Sequence, residues 1–85
     1  MSTVYLHLGG DRVVRLRDIL AILNAGASAA KAYAAQAAAR GRLETTEAGP
    51  VHSYVVTQEK VYASPISTTT LARRAARVAR GDLSE

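Results

Sequence analysis

An alanine-rich run from Gly26 to Gly41, GASAAKAYAAQAAARG, constrains the fold more than any other stretch of the sequence. From Ala29 onward nearly every residue is a strong helix former, with Ser28 placed to act as the N-cap and Gly41 placed to end the helix. Alanine covers almost every face of this predicted helix, so the helix has little side-chain volume to bury. We therefore expect it to pack closely against a sheet or a neighbouring subunit.

The rest of the chain also offers few large apolar side chains. Of its 85 residues, seventeen are alanine, nineteen are leucine, isoleucine or valine, and none is phenylalanine or tryptophan. A chain of this length buries only about 60 to 65% of the surface that its unfolded form exposes. We expect one domain over residues 1–81, of the kind that subunit association often stabilises, and a short frayed tail at 82–85.

Two hairpins flank the predicted alanine-rich helix. Residues 4–16 alternate apolar and polar side chains on both sides of the GGD turn, which predicts the first hairpin. The run RDILAILN at 17–24 could form a strand or a helical turn, and its closely spaced aliphatic residues favour a strand. The polar segment 43–50 is interpreted as a connector, and 51–64 as a second hairpin with a turn at Gln58 and Glu59.

The C-terminal part of the chain predicts a second helix. Pro65 interrupts the preceding strand, and STTT at 67–70 offers several N-caps for a helix from about Thr69 to Arg80 that stops at Gly81. Together the elements predict an α+β fold in which two hairpins form a small antiparallel sheet accompanied by two helices.

Arginines are concentrated on this last helix. Arg73, Arg77 and Arg80 recur at i, i+4 and i+7 and share a face, with Arg74 at its shoulder. No Asp or Glu stands four residues away to relieve the repulsion among these like charges. The helix dipole would favour Arg77 and Arg80 without any ligand. From these residues alone, a solvent-exposed face without a ligand and an anion-binding surface are equally good interpretations. The opposing apolar stripe comprises Leu71, Ala75, Val78 and Ala79.

A second basic group, Arg12, Arg15 and Arg17, lies along the first hairpin. In an extended strand Arg15 and Arg17 would point to the same side and could follow phosphates. The alternative is that they protect an edge strand against aggregation.

Other classes of function find little support. His7 and His52 are isolated and lack the spacing of metal ligands, and the chain has no cysteine, so we predict no metal, no cofactor and no catalysis. No apolar run approaches the roughly 20 residues that a membrane span needs, so we expect no membrane partner and a cytoplasmic location. The net charge of +4, with nine arginines against two lysines, favours polyanions.

The stretches YLHLGGDRVVRLRDILAIL (5–23), SYVVT (53–57) and KVYASPISTTTLARR (60–74) resemble the Rem family of bacterial extracellular-matrix regulators, most closely its RemB-like branch. The resemblance implies a small protein that assembles into a homo-oligomeric ring. It also implies that double-stranded DNA follows the positively charged rim, and that biofilm-matrix genes are activated from the nucleoid in the cytoplasm.

Three positions depart from the family's usual DNA-contacting arginines. When the family's DNA-contacting positions are transferred to this sequence, they fall on Asp18, Pro50 and Val51. Only Arg17, beside Asp18, can directly replace one of the missing arginines. If DNA is bound, other arginines must substitute for them. The alternative is an oligomeric interaction protein whose basic surface contacts an acidic protein or its own subunits. The predicted DNA-binding residues are Arg15, Arg17, Arg73, Arg74 and Arg77.

Overall fold

A computed structural model describes residues 4–80 and confirms the α+β class. The predicted stop at Gly81 and the tail at 82–85 lie outside these residues. A 3-10 turn at Leu16–Asp18 connects the first hairpin to the rest of the chain. The other elements, in order, are β1 (Tyr5–Gly9), β2 (Arg12–Arg15), β3 (Ile19–Asn24), α1 (Ser28–Ala39), β4 (Leu43–Thr45), β5 (Ser53–Thr57), β6 (Val61–Ser64) and α2 (Thr68–Ala79).

The strands form two sheets rather than the single antiparallel sheet expected from the two hairpins. Strands β1 and β2 form an antiparallel pair of their own, and the larger sheet has the order β3-β5-β6-β4. The hairpins stay apart because Leu6, Leu8 and Val14 all point into the core, which lays the first hairpin face-on over the larger sheet. The expected single sheet is therefore corrected to two sheets packed in layers.

The interpretation of residues 43–50 as a connector is wrong for the first three residues, which form strand β4. It has only three residues, and it runs parallel to β6, with Leu43 opposite Val61 and Thr45 opposite Ala63. Its pairing partner lies far along the chain, so no local alternation marks it. The larger sheet is consequently mixed rather than antiparallel.

The main core lies between the first hairpin, the larger sheet and α2. Leu6, Leu8, Val55 and Leu71 are almost completely buried there, together with Val14. Because α2 packs against both β1 and β3, burial of one side of this helix joins the two sheets.

The second core lies on the other face of the larger sheet, where α1 packs. Ala30, Ala34 and Ala37 are the buried residues of α1 and recur at i, i+4 and i+7. Their small side chains let the helix approach β4 closely, as the alanine pattern predicted. The predicted N-cap is wrong by one residue, since Ala27 caps the helix without a side-chain bond and Ser28 lies inside it.

Helix α2 begins and ends one residue earlier than predicted. Ser67 is the N-cap, and its hydroxyl accepts a hydrogen bond from the amide of Thr70 at 3.2 Å. Leu71 and Val78 are the buried residues of the helix and lie seven positions apart on one face. Within residues 4–80, neither helix has the length and apolar character to span a bilayer.

Candidate nucleic-acid interface

On α2, Arg73, Arg77 and Arg80 lie on the side away from the buried Leu71 and Val78, whereas Arg74 flanks the buried side. Arg73 and Arg80 are exposed, whereas Arg74 and Arg77 are half-buried. The core contacts of Leu71 and Val78 fix the rotation of the helix about its axis, so these two residues determine where the arginines point. This surface, the arginine face, consists of Arg73, Arg74, Arg77 and Arg80.

Arg15 is held by an acid of its own segment. Its Nε donates a hydrogen bond to Oδ2 of Asp18 at 2.8 Å, and both side chains are more than two-fifths exposed. Asp18 stands at one of the positions where the family resemblance implies an arginine. Asp18 therefore stands where the resemblance implies a cation, and it also neutralises the charge of Arg15.

Arg17 departs from its predicted geometry. It is exposed, but it lies in the 3-10 turn rather than in an extended strand. Strand β2 ends at Arg15, so the two-residue alternation that would place Arg15 and Arg17 on the same side stops there.

The five predicted DNA-binding residues fall into two groups. Strand β1 pairs with β2 and packs against α2, so it lies between Arg15 and the arginine face. Arg17 leads into β3, a strand that α2 also contacts. The structure therefore brings Arg73, Arg74 and Arg77 together on one helix, while Arg15 lies across the hairpin from them.

The two other positions that lack the family's arginines lie far from Asp18. Pro50 is exposed and Val51 half-buried in the segment before β5. Because Asn24 pairs with Ser53 and Ile19 with Thr57, the antiparallel β3 and β5 have Asp18 at one end and Pro50 at the other. A ligand that follows the family's usual contacts would have to span this strand pair.

An ion-pair cluster that the sequence did not reveal joins the two sheets. Glu44 on β4 pairs with Arg12 on β2, and its Oε1 accepts a hydrogen bond from Nζ of Lys60 at 2.8 Å. The bond from Lys60, aided by the charge of Arg12, holds the pKa of Glu44 below its ordinary value of 4.5. The same bond raises the pKa of Lys60 above 10.5. The cluster thus engages two of the chain's cations internally.

The Glu44 cluster should make stability depend on pH at both extremes. The lowered pKa of Glu44 stabilises the folded state above about pH 4.5, and this stabilisation is lost as the pH falls through the lowered pKa. The raised pKa of Lys60 stabilises the folded state below pH 10.5, and this stabilisation is lost as the pH rises through the raised pKa. We expect Glu44→Gln to lower Tm at pH 7 by at most about 5 °C, since the pair is solvent-accessible. The difference in Tm between the wild type and this variant should shrink below pH 4 and above pH 11. A difference that stays constant between pH 3 and 7 would contradict the ion pair.

Comparison with known proteins identifies the family. A family model described as RemA-like, Extracellular matrix regulatory protein A-like, matches residues 5–75. No curated protein matches the chain. The matched stretch includes both hairpins, α1 and the first two turns of α2, up to Ala75, so it includes four of the predicted binding arginines and stops before Arg77. Assignment to the RemB-like branch stays a prediction. The fold described above and this match over most of the chain show that the protein belongs to the RemA-like family of extracellular matrix regulatory proteins.

Proposed function

We propose that this protein is a DNA-binding regulator of transcription that contacts the phosphate backbone through arginines. The observation that supports this proposal most directly is the geometry of α2, whose buried Leu71 and Val78 turn Arg73, Arg77 and Arg80 away from the core and leave Arg74 at its flank. Guanidinium groups suit this role because their planar fork of donors matches phosphate oxygens. The proposed role is non-catalytic and uses no cofactor.

A single subunit offers only a few phosphate contacts, so the proposal includes assembly. A homo-oligomeric ring, as the family resemblance implies, would repeat the arginine face around its rim. Each additional subunit that engages the same duplex acts at high effective concentration and raises the overall affinity without any new kind of contact. The protein would act on genes of the extracellular matrix from the nucleoid in the cytoplasm.

The proposed contacts position the protein on DNA without reading bases. Arg73, Arg74 and Arg77 lie along the side of one helix, and phosphate contacts of this type carry no sequence information directly. Preference for particular sites would then arise from the shape and deformability of the duplex.

A titration of binding against salt tests this function. The affinity for duplex DNA, measured by gel shift at several salt concentrations, should fall linearly on a double-logarithmic plot. The expected slope is about −0.9 per phosphate contact, so three contacts per subunit imply roughly −2.7 for each engaged subunit. Absence of binding at low salt, or a flat slope, would exclude phosphate contact as the basis of function.

Removal of the acid beside Arg15 should strengthen DNA binding. Asp18→Asn would remove the ion pair with Arg15, in which Nε of Arg15 lies 2.8 Å from Oδ2, and with it a negative charge that repels phosphate. We expect an affinity for duplex DNA about 2- to 5-fold higher at low salt, with a steeper salt slope. Asp11→Asn is the matched control, because Asp11 is exposed, the substitution is chemically identical, and this residue lies at the opposite end of β2 from Arg15. Equal gains in both variants would mean that only net charge matters and that Arg15 lies outside the interface.

One observation favours the second candidate, an oligomeric interaction protein that does not bind DNA. Arg15 is neutralised by Asp18, and neither Pro50 nor Val51 supplies a cation, so all three of the family's usual contact positions lack an arginine. Under this alternative the arginine face would contact an acidic protein or a neighbouring subunit.

A further inference from the structure

A groove runs along the free edge of β2. It has a volume of about 700 Å³, and its walls include Val13, Val14 and Arg15 on one side and residues 57–60 on the other. Alternate residues of a strand point to opposite faces, so three consecutive residues can line one groove only if it follows the edge of the strand. The only sheet partner of β2 is β1, which leaves this edge unpaired among the described strands.

The hydrogen-bond phase of the hairpin determines which backbone groups face the groove. The amide of Leu16 donates to the carbonyl of Val4 at 2.8 Å, which makes this an antiparallel pair with direct bonds. Directly bonded pairs alternate with non-bonded ones, so the pairs formed by Val13 with His7 and by Arg15 with Tyr5 are non-bonded. The N–H and C=O of Val13 and the N–H of Arg15 therefore point outward from the edge of β2.

The opposite wall is held in place by side-chain bonds. Arg42 donates from Nε to the carbonyl of Glu59 at 3.0 Å and from Nη2 to the carbonyl of Gln58 at 2.8 Å. The hydroxyl of Thr57 donates to the carbonyl of Lys60 at 2.9 Å and closes the turn. These bonds keep the 57–60 turn in one conformation, so a segment that enters the groove meets a preorganised wall.

The side chains at the groove suit a protein segment better than a nucleic acid. Tyr5 and Val13 are 54% and 49% exposed and present apolar surface at the groove. Of the two cations of the walls, Arg15 pairs with Asp18 and Lys60 shares Glu44 with Arg12, while the exposed Glu59 on the same wall adds a negative charge, so the groove is close to neutral. A phosphate would gain little binding free energy from cations that are already paired, whereas an uncharged segment can bind without disturbing these ion pairs.

We propose that the groove binds an extended segment of a partner protein, which pairs with β2 as an added strand. Main-chain bonds to Val13 and Arg15 would supply affinity, as in other cases of strand addition. Specificity would come from a β-branched or aromatic side chain opposite Val13, packed beside Tyr5. The partner segment would carry little net charge. This surface is separate from the arginine face and does not depend on the proposed DNA binding.

Val13→Pro tests the proposal at the backbone. The N–H of Val13 makes no bond within the hairpin, and proline is tolerated at such positions of edge strands, so the fold should survive while the outward donor is lost. Val13→Thr is the matched control, because it keeps the N–H and the branched shape. Random octapeptides displayed on phage would be selected on the wild-type protein and counter-selected on Val13→Pro, and the enriched peptide synthesised for fluorescence anisotropy.

The proposal expects an enriched peptide whose affinity falls at least 10-fold on Val13→Pro and less than 2-fold on Val13→Thr. Should the proline variant fail to fold, amide exchange in the wild type replaces it. The peptide should slow exchange of the Val13 and Arg15 amides at least 10-fold. Failure to enrich any peptide, or enrichment of a peptide that protects neither amide, overturns the proposal.

Two further outcomes would assign the groove to a different occupant. If duplex DNA displaces the peptide and itself protects the Val13 and Arg15 amides, the groove belongs to nucleic acid. If sedimentation shows that the wild type self-associates and that Val13→Pro does not, whereas Val13→Thr does, the added strand comes from a second copy of this chain. Either result overturns binding of a separate partner protein.

Discussion

Replacement of Arg73 and Arg77 with glutamine is expected to weaken binding to duplex DNA about 10- to 100-fold at low salt. The two residues lie four positions apart on α2, on the side away from the buried Leu71 and Val78, so one duplex can engage both. Loss of two phosphate contacts per subunit should also reduce the salt slope by about 1.8 for each engaged subunit. Gel shift on a duplex at several salt concentrations gives both quantities.

The matched control removes the same charge from the other helix. Lys31 and Arg40 are exposed on and just after α1, which packs on the opposite face of the larger sheet. The double variant Lys31→Gln, Arg40→Gln should change the affinity less than about 3-fold, through net charge alone. Similar losses in the two double variants would show that binding follows the total charge of the protein and that α2 holds no localised interface.

Light scattering on the same variants separates DNA binding from the alternative function. If the arginine face contacts DNA, the Arg73 and Arg77 double variant should keep the oligomeric mass of the wild type while it loses DNA. If the face lies between subunits, the mass should fall with or without DNA. Far-ultraviolet circular dichroism should match the wild type in both cases, because neither residue belongs to the core.

Local patterns in the sequence predicted most of the secondary structure. Alternation predicted the first hairpin, and helix formers between a capping region and Gly41 predicted α1 with its end correctly placed. The predicted apolar stripe likewise identified the buried side of α2, where Leu71 and Val78 are buried and Ala75 is half-buried, although Ala79 is exposed. These features depend on residues close together in the chain, so a single sequence contains enough information to find them.

The features that the sequence did not predict depend on pairs far apart along the chain. Strand β4 exists because it pairs with β6, and Glu44 gains its role because folding brings it to Arg12 and Lys60. The predicted orientation of Arg17 is wrong for a different reason. A 3-10 turn follows β2 directly, and the sequence RLRD contains no glycine or proline that would indicate where the strand ends.

The turn of the first hairpin determines where β2 and Arg15 lie. The amide of Gly10 donates to a carboxylate oxygen of Glu47, and the carbonyl of Gly10 accepts a hydrogen bond from Nε2 of His7 at 2.8 Å. The α-carbon of Gly10 faces the main-chain carbonyl of Thr46, and its φ is +55°, in the left-handed region. The turn is therefore packed against the segment after β4 as well as being strained for any residue with a side chain.

Gly10→Ala should destabilise the fold by about 3 kcal/mol or more, which corresponds to a fall in Tm of roughly 12 to 24 °C for a domain of this size. The added methyl group would lie inside van der Waals contact of the Thr46 carbonyl, so the backbone of the turn would have to shift at a position that also bonds Glu47. Gly41→Ala is the control, since its φ of +70° is also left-handed but nothing lies within 4 Å of the new atom. That variant should lose only about 1 to 2 kcal/mol, the conformational part of the effect. Equal losses in thermal unfolding would mean that the turn is not packed against residues 46–47. A larger loss for Gly10 would show that this contact holds the hairpin, and with it Arg15, over the larger sheet.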